Sequence, residues 1–157
     1  MNLDSKVIED LVRKIIEEKL NEASASEKKD FVLNKDISGI TSVKLNTVRV
    51  DESNRLDTGN PNDVVYTKDL FDLEESPRLG CGIMEMKETT FDWTLNYDEI
   101  DYVIEGHLDI IIDGRKVSAD AGELILIPKG SKIQFSVPNY ARFIYITYPA
   151  DWTSQND

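Results

Sequence analysis

Between residues 5 and 21 the apolar side chains Val7, Ile8, Leu11, Val12, Ile15, Ile16 and Leu20 recur every three or four positions, with Glu9, Asp10, Arg13, Lys14, Glu17 and Glu18 between them. That spacing predicts an amphipathic helix whose apolar stripe must be covered, either by the rest of the chain or by another protein. Residues 21–30 (NEASASEKKD) are small and polar, as in a linker. Residues 1–30 are therefore read as helix plus linker, and 31–157 as the main domain.

Beyond Phe31 the helical period gives way to short β-branched and aromatic runs. Strands are predicted at 42–50, 63–66, 82–86, 100–104, 108–112, 123–127, 133–137 and 141–148. Asp113-Gly114 between LDIII and RKVSA signals a hairpin. Asp120-Ala121-Gly122 and Pro128-Lys129-Gly130 mark further turns, and Asn60-Pro61-Asn62 a surface loop. Short strands without intervening helices, and without an internal repeat, predict an all-β antiparallel jelly-roll barrel. Along 100–104 both strand faces are apolar, with Ile100, Tyr102 and Ile104 on one and Val103 on the other. The outer face is accordingly expected to be buried, against the N-terminal helix or a second copy in a homodimer.

Composition narrows the partners. With 18 Lys plus Arg against 30 Asp plus Glu, the net charge of -12 disfavours nucleic acid and anionic membrane surfaces. One cysteine, Cys81, rules out an internal disulfide, and the single histidine, His107, rules out a metal site built from several imidazoles. Acidic residues from Asp4 onward, and the lack of any eighteen-residue apolar run, give the expectation of a soluble, cytoplasmic protein.

Residues 97–114 (YDEIDYVIEGHLDIIIDG) and 121–130 (AGELILIPKG) resemble the two motifs of the cupin superfamily. Glu99 lies seven residues before Gly106, and Gly122, Pro128 and Gly130 hold the turn positions of the second motif. The resemblance implies a double-stranded β-helix of jelly-roll type. Where that family places metal-binding histidines, this chain has Asp92 and Thr94, or Trp93 and Leu95, and in the second motif Ile133. One carboxylate beside an isoleucine does not make an iron, manganese or zinc site, so no transition metal is expected. His107 stands outside the ligand positions and is expected at the surface.

The string FDWTLNYDE, with GIMEM before it and IQFSVP and RFIYITYPADW after it, is similar to the EutQ family of ethanolamine utilisation; the likeness spans residues 41–152. It implies a role in ethanolamine catabolism at a bacterial microcompartment and, for some members, an ATP-dependent acetate kinase activity. In the same light residues 1–20 are similar to the short helices that carry cargo to microcompartment shell proteins. The alternative is a non-catalytic cupin that binds a metabolite or a shell protein.

The cupin resemblance implies that Glu99 points into the barrel, and strand alternation from there sends Tyr97, Asp101 and Val103 the same way and Asp98, Ile100 and Tyr102 outward. If Asp92 joins Glu99 and Asp101 inside, burial and repulsion favour the protonated form of at least one of these three candidate catalytic carboxyls. Trp93 and Tyr97 are candidate substrate contacts. The candidate phosphate-neutralising cations are Lys87, Arg142, Lys129 and Lys132, of which the last two sit at an ordinary turn. Oxygen ligands suit Mg²⁺ arriving with ATP, although no G-x-x-x-x-G-K-[ST] phosphate loop is present. Met84, Met86, Phe135, Phe143 and Tyr145 are further candidates to line the pocket, most of them expected to pack in the core, and Cys81 is read as structural.

Overall fold

A computed structural model describes residues 5–25 and 29–156. Residues 1–4 and 26–28, parts of the expected targeting segment and linker, lie outside the described residues. The chain forms two compact units, 1–48 and 49–157.

In the first unit the helix α1 spans Ser5–Ala25 and runs four residues beyond its predicted end. Val7, Ile8, Leu11, Val12, Ile15 and Ile16 are all exposed. A small hairpin follows, β1 (Leu33–Lys35) with β2 (Thr41–Val43). The strand expected over 42–50 is thus cut short. Leu45–Thr47 turns into a single 3-10 turn, in which Thr47 Oγ1 donates to the Lys44 carbonyl and accepts from the Val32 amide. These side-chain bonds give the backbone an alternative to a ladder.

The second unit is antiparallel throughout: β3 (Val64–Asp69), β4 (Gly80–Thr94), β5 (Asp98–Ile112), β6 (Arg115–Asp120), β7 (Leu124–Ile127) and β8 (Lys132–Tyr148). The sheet order is β3-β4-β8-β5-β6, with β7 also paired to β5. This is the cupin jelly roll the two motifs imply, enclosing a core that includes Met84, Met86, Val103, Leu108, Phe135, Val137 and Phe143.

Predicted short strands prove to be halves of long ones. β5 joins 100–104 to 108–112, and β8 joins 133–137 to 141–148. At the β5 junction an irregularity resets which side chains face inward, while β8 keeps one parity from Ile133 to Thr147. In β5, Glu99, Asp101 and Val103 point in before Gly106, and Leu108 and Ile110 after it. Gly106 has φ +81°, and a Cβ there would lie 2.0 Å from the Tyr140 carbonyl oxygen, so only glycine fits. In β4 the same reset occurs at Glu88, φ +45°, after which Phe91, Trp93 and Leu95 face the interior.

The outward positions on the first half of the barrel are apolar. Ile100 and Tyr102 of β5 lie opposite Leu126 and Leu124 of β7, and Ile100 also lies opposite Ile146 of β8. All five are exposed, as is Tyr148.

Candidate functional site

Inside the barrel the register stacks two polar rows. Gly80, Thr147, Glu99 and Ile127 lie side by side across β4, β8, β5 and β7, and Gly82, Tyr145, Asp101 and Ile125 form the next row. The third row, Met84, Phe143 and Val103, is wholly apolar. The glycines make the space for the polar side chains. A Cβ on Gly80 would lie 2.2 Å from Thr147 Oγ1, and one on Gly82 2.1 Å from the Tyr145 ring.

Glu99 is 4% exposed, Asp101 0% and Thr147 1%. Glu99 Oε1, both Asp101 carboxyl oxygens and Thr147 Oγ1 find no donor among the surrounding groups. Desolvation raises the Glu99 carboxyl to about 7. It raises Asp101 well above the usual carboxylate range, helped by the charge of Glu99. The pair therefore holds one proton between two buried carboxyls near neutral pH.

An aromatic box stands over this pair. Trp93 Nε1 donates to Tyr97 Oη at 2.9 Å, and Tyr145 Oη donates to Asp69 Oδ1 at 2.6 Å. Burial pushes both phenols up. Trp152, from the segment after β8, tilts 53° from Tyr97, 60° from Trp93 and 75° from Tyr145, with ring centroids 5.7–6.3 Å apart. These rings, with Leu56, Met84, Phe91 and Phe135, enclose a cavity that Glu99 also lines. It offers about 10 Å³ of room for the centre of a water molecule, enough for one.

The structure brings Glu99, Asp101, Tyr97 and Trp93 together and leaves the other candidates outside. Asp92 faces solvent, since it alternates with the inward Phe91 and Trp93 and lies opposite Gln134. The expected three-carboxylate interior is therefore a pair. Lys87 is exposed on the outer face, opposite Tyr140. Arg142 lies between the inward Ala141 and Phe143, also on the outer face, and donates to Glu85 directly across the strand pair. Lys129 and Lys132 are exposed. His107 lies beyond Gly106 at the β5–β6 end, its ring nitrogens 2.6 Å from Asp120 and 3.0 Å from Asp109; hydrogen bonds to Asp120 and then to Asp109 raise its pKa.

Among the described residues no three His, Cys, Asp or Glu side chains are grouped to hold a metal ion. The interior, with two carboxylates and a hydroxyl in a one-water space, does not fit a hydrated Mg²⁺, which keeps octahedral geometry and several waters. Sequence reasoning missed Thr147, Gly80, Gly82 and Trp152. The small inward residues of Gly-Cys-Gly, two apart, were the available signal.

A family model described as ethanolamine utilisation protein EutQ matches residues 3–154. Acetate kinase EutQ of Clostridioides difficile (strain 630) is 79% identical over 155 residues, covering 99% of this chain and 98% of that protein. Acetate kinase EutQ of Salmonella typhimurium is 34% identical over 94% of this chain, which spans only 63% of that longer relative. The solved structure of the Clostridium difficile EutQ protein superposes with a TM-score of 0.81 at 85% identity, covering 82% of this chain and 94% of that one.

Proposed function

Since the chain belongs to the EutQ family of ethanolamine utilisation proteins, we propose that it transfers phosphate from ATP to acetate, with the acetate end of the reaction at the Glu99 cavity. The printed names of two relatives support the reaction class. The observation that carries the place is the buried Glu99–Asp101 pair, the acid-base group that opens on the cavity.

Acetate is already a carboxylate at neutral pH, so its attack needs no general base. One acetate oxygen forms the new bond to the γ-phosphorus while the bond from that phosphorus to the β-γ bridging oxygen breaks, and ADP leaves. The proton held by Glu99 and Asp101 lets this acidic site accept a second carboxylate: Glu99 donates it to the acetate oxygen that does not attack. The cavity admits acetate only when Trp152 shifts, and it has no room for a nucleotide. ATP, with the magnesium it carries as substrate, is therefore assigned to the outside of the mouth. No step runs through a resident metal. Glu99→Gln keeps the side-chain shape and removes the proton, and its effect on acetyl phosphate formation tests the reading.

The exposed outer face built on Ile100, Tyr102, Leu124 and Leu126 is assigned to a second copy of the chain. It is an apolar area, bordered by Asp98, on a protein of net charge -12. The exposed stripe of α1 is assigned to a partner helix such as that of a shell protein, as expected for residues 1–20.

A further inference from the structure

We infer that the cavity over Glu99 is a binding site for a small ammonium cation, either ammonium itself or a primary alkylammonium of methyl size. This goes beyond the kinase reading and does not rest on it.

Two independent observations carry it. The first is the set of unpartnered oxygens: Glu99 Oε1, Asp101 Oδ1 and Oδ2, and Thr147 Oγ1, on side chains at most 4% exposed. Glu99 and Thr147 are direct cross-strand neighbours, and Asp101 is the next inward residue on the strand of Glu99. Above about pH 7 the Glu99 carboxyl is ionised, and a buried carboxylate requires a donor or a cation. Among the described residues no lysine or arginine lines the cavity. Of these side chains Glu99 lines the cavity, so its carboxylate accepts from the cation there, with Asp101 and Thr147 behind it.

The second is the box. Trp93, Tyr97, Tyr145 and Trp152 stand at steep angles to one another instead of stacking, which is how aromatic rings wall a cation. The space they leave takes one body the size of water, and ammonium is of that size. A divalent ion brings too many waters, while an alkali ion wants more oxygen ligands than the cavity offers.

Both tryptophans of the chain, Trp93 and Trp152, line the cavity, so their fluorescence reads it directly. The purified protein is titrated at about pH 8 with ammonium chloride and methylammonium chloride, beside sodium, potassium and tetramethylammonium chloride at matched ionic strength. The expected result is a saturable change for ammonium and methylammonium, with a midpoint in roughly the millimolar range, and none for the other three salts. Glu99→Gln should lose the response while keeping the circular dichroism of the parent. An equal response to all five salts, or one that survives Glu99→Gln, overturns the proposal. So does silence, with water alone filling the cavity. Neither ATP nor acetate is present, so a failed kinase assay and a failed titration are separate results.

Discussion

Glu99 and Thr147 face each other across strands β5 and β8 in the barrel interior, and neither Glu99 Oε1 nor Thr147 Oγ1 has a hydrogen-bond donor or acceptor opposite it. An isolated buried hydroxyl costs stability, so Thr147→Val, which keeps the shape, should leave the protein equally stable or stabilise it by up to about 1 kcal/mol. Urea denaturation checks this. A loss above about 1 kcal/mol would mean that the hydroxyl has a partner.

Burial raises the carboxyls of Glu99, to about 7, and of Asp101 above their ordinary values. The native state thus holds a proton that the unfolded chain has released. Stability from this source is fully present below the unfolded values, near pH 4, and is lost as pH rises through about 7. Denaturation midpoints should fall over that window, by at most about 1.4 kcal/mol per pH unit for each proton. In Glu99→Gln the slope should shrink, and an unchanged slope would place the proton elsewhere.

Gly82 is the floor on which the Tyr145 ring rests, since a Cβ there would lie 2.1 Å from the ring. Gly82→Ala should displace the ring, break its bond to Asp69 and destabilise by about 1–3 kcal/mol. Thermal unfolding beside Cys81→Ala, at the adjacent half-buried outward position, separates the steric cost from a general sensitivity of β4. Equal effects would dismiss the packing explanation.

Leu126 stands near the middle of the exposed outer face, directly opposite Ile100. Sedimentation should find a dimer for the parent and a monomer for Leu126→Glu, which keeps the fold because this side chain is already exposed. A parent that is monomeric at micromolar concentration would remove the second copy from this face.

The inward series Tyr97, Glu99, Asp101 and Val103 was legible once the cupin motif set Glu99 inward, because no irregularity interrupts the alternation before Val103. Alternation failed where a single residue resets it. Gly106 and Glu88 change the parity within β5 and β4, and Asp92, which the motif alignment sent inward, lies past the reset at Glu88. Thr147, Gly80 and Trp152 reach Glu99 only through pairing between strands far apart in sequence, which no local pattern encodes. The 3-10 turn at 45–47 was missed because Leu45 and Val48 carry a strand-like composition through it.

The most direct test incubates the purified protein with Mg-ATP and acetate, measuring acetyl phosphate and ADP, with Glu99→Gln and Lys87→Ala alongside. Phosphoryl transfer should occur in the parent and decline above about pH 7 as Glu99 loses its proton. It should fall about tenfold to a hundredfold in Glu99→Gln, with that decline abolished, and stay within about twofold in Lys87→Ala. A folded Glu99→Gln variant with parental activity and the parental pH profile would contradict the placing of the reaction at this cavity. No activity in the parent would contradict the reaction itself.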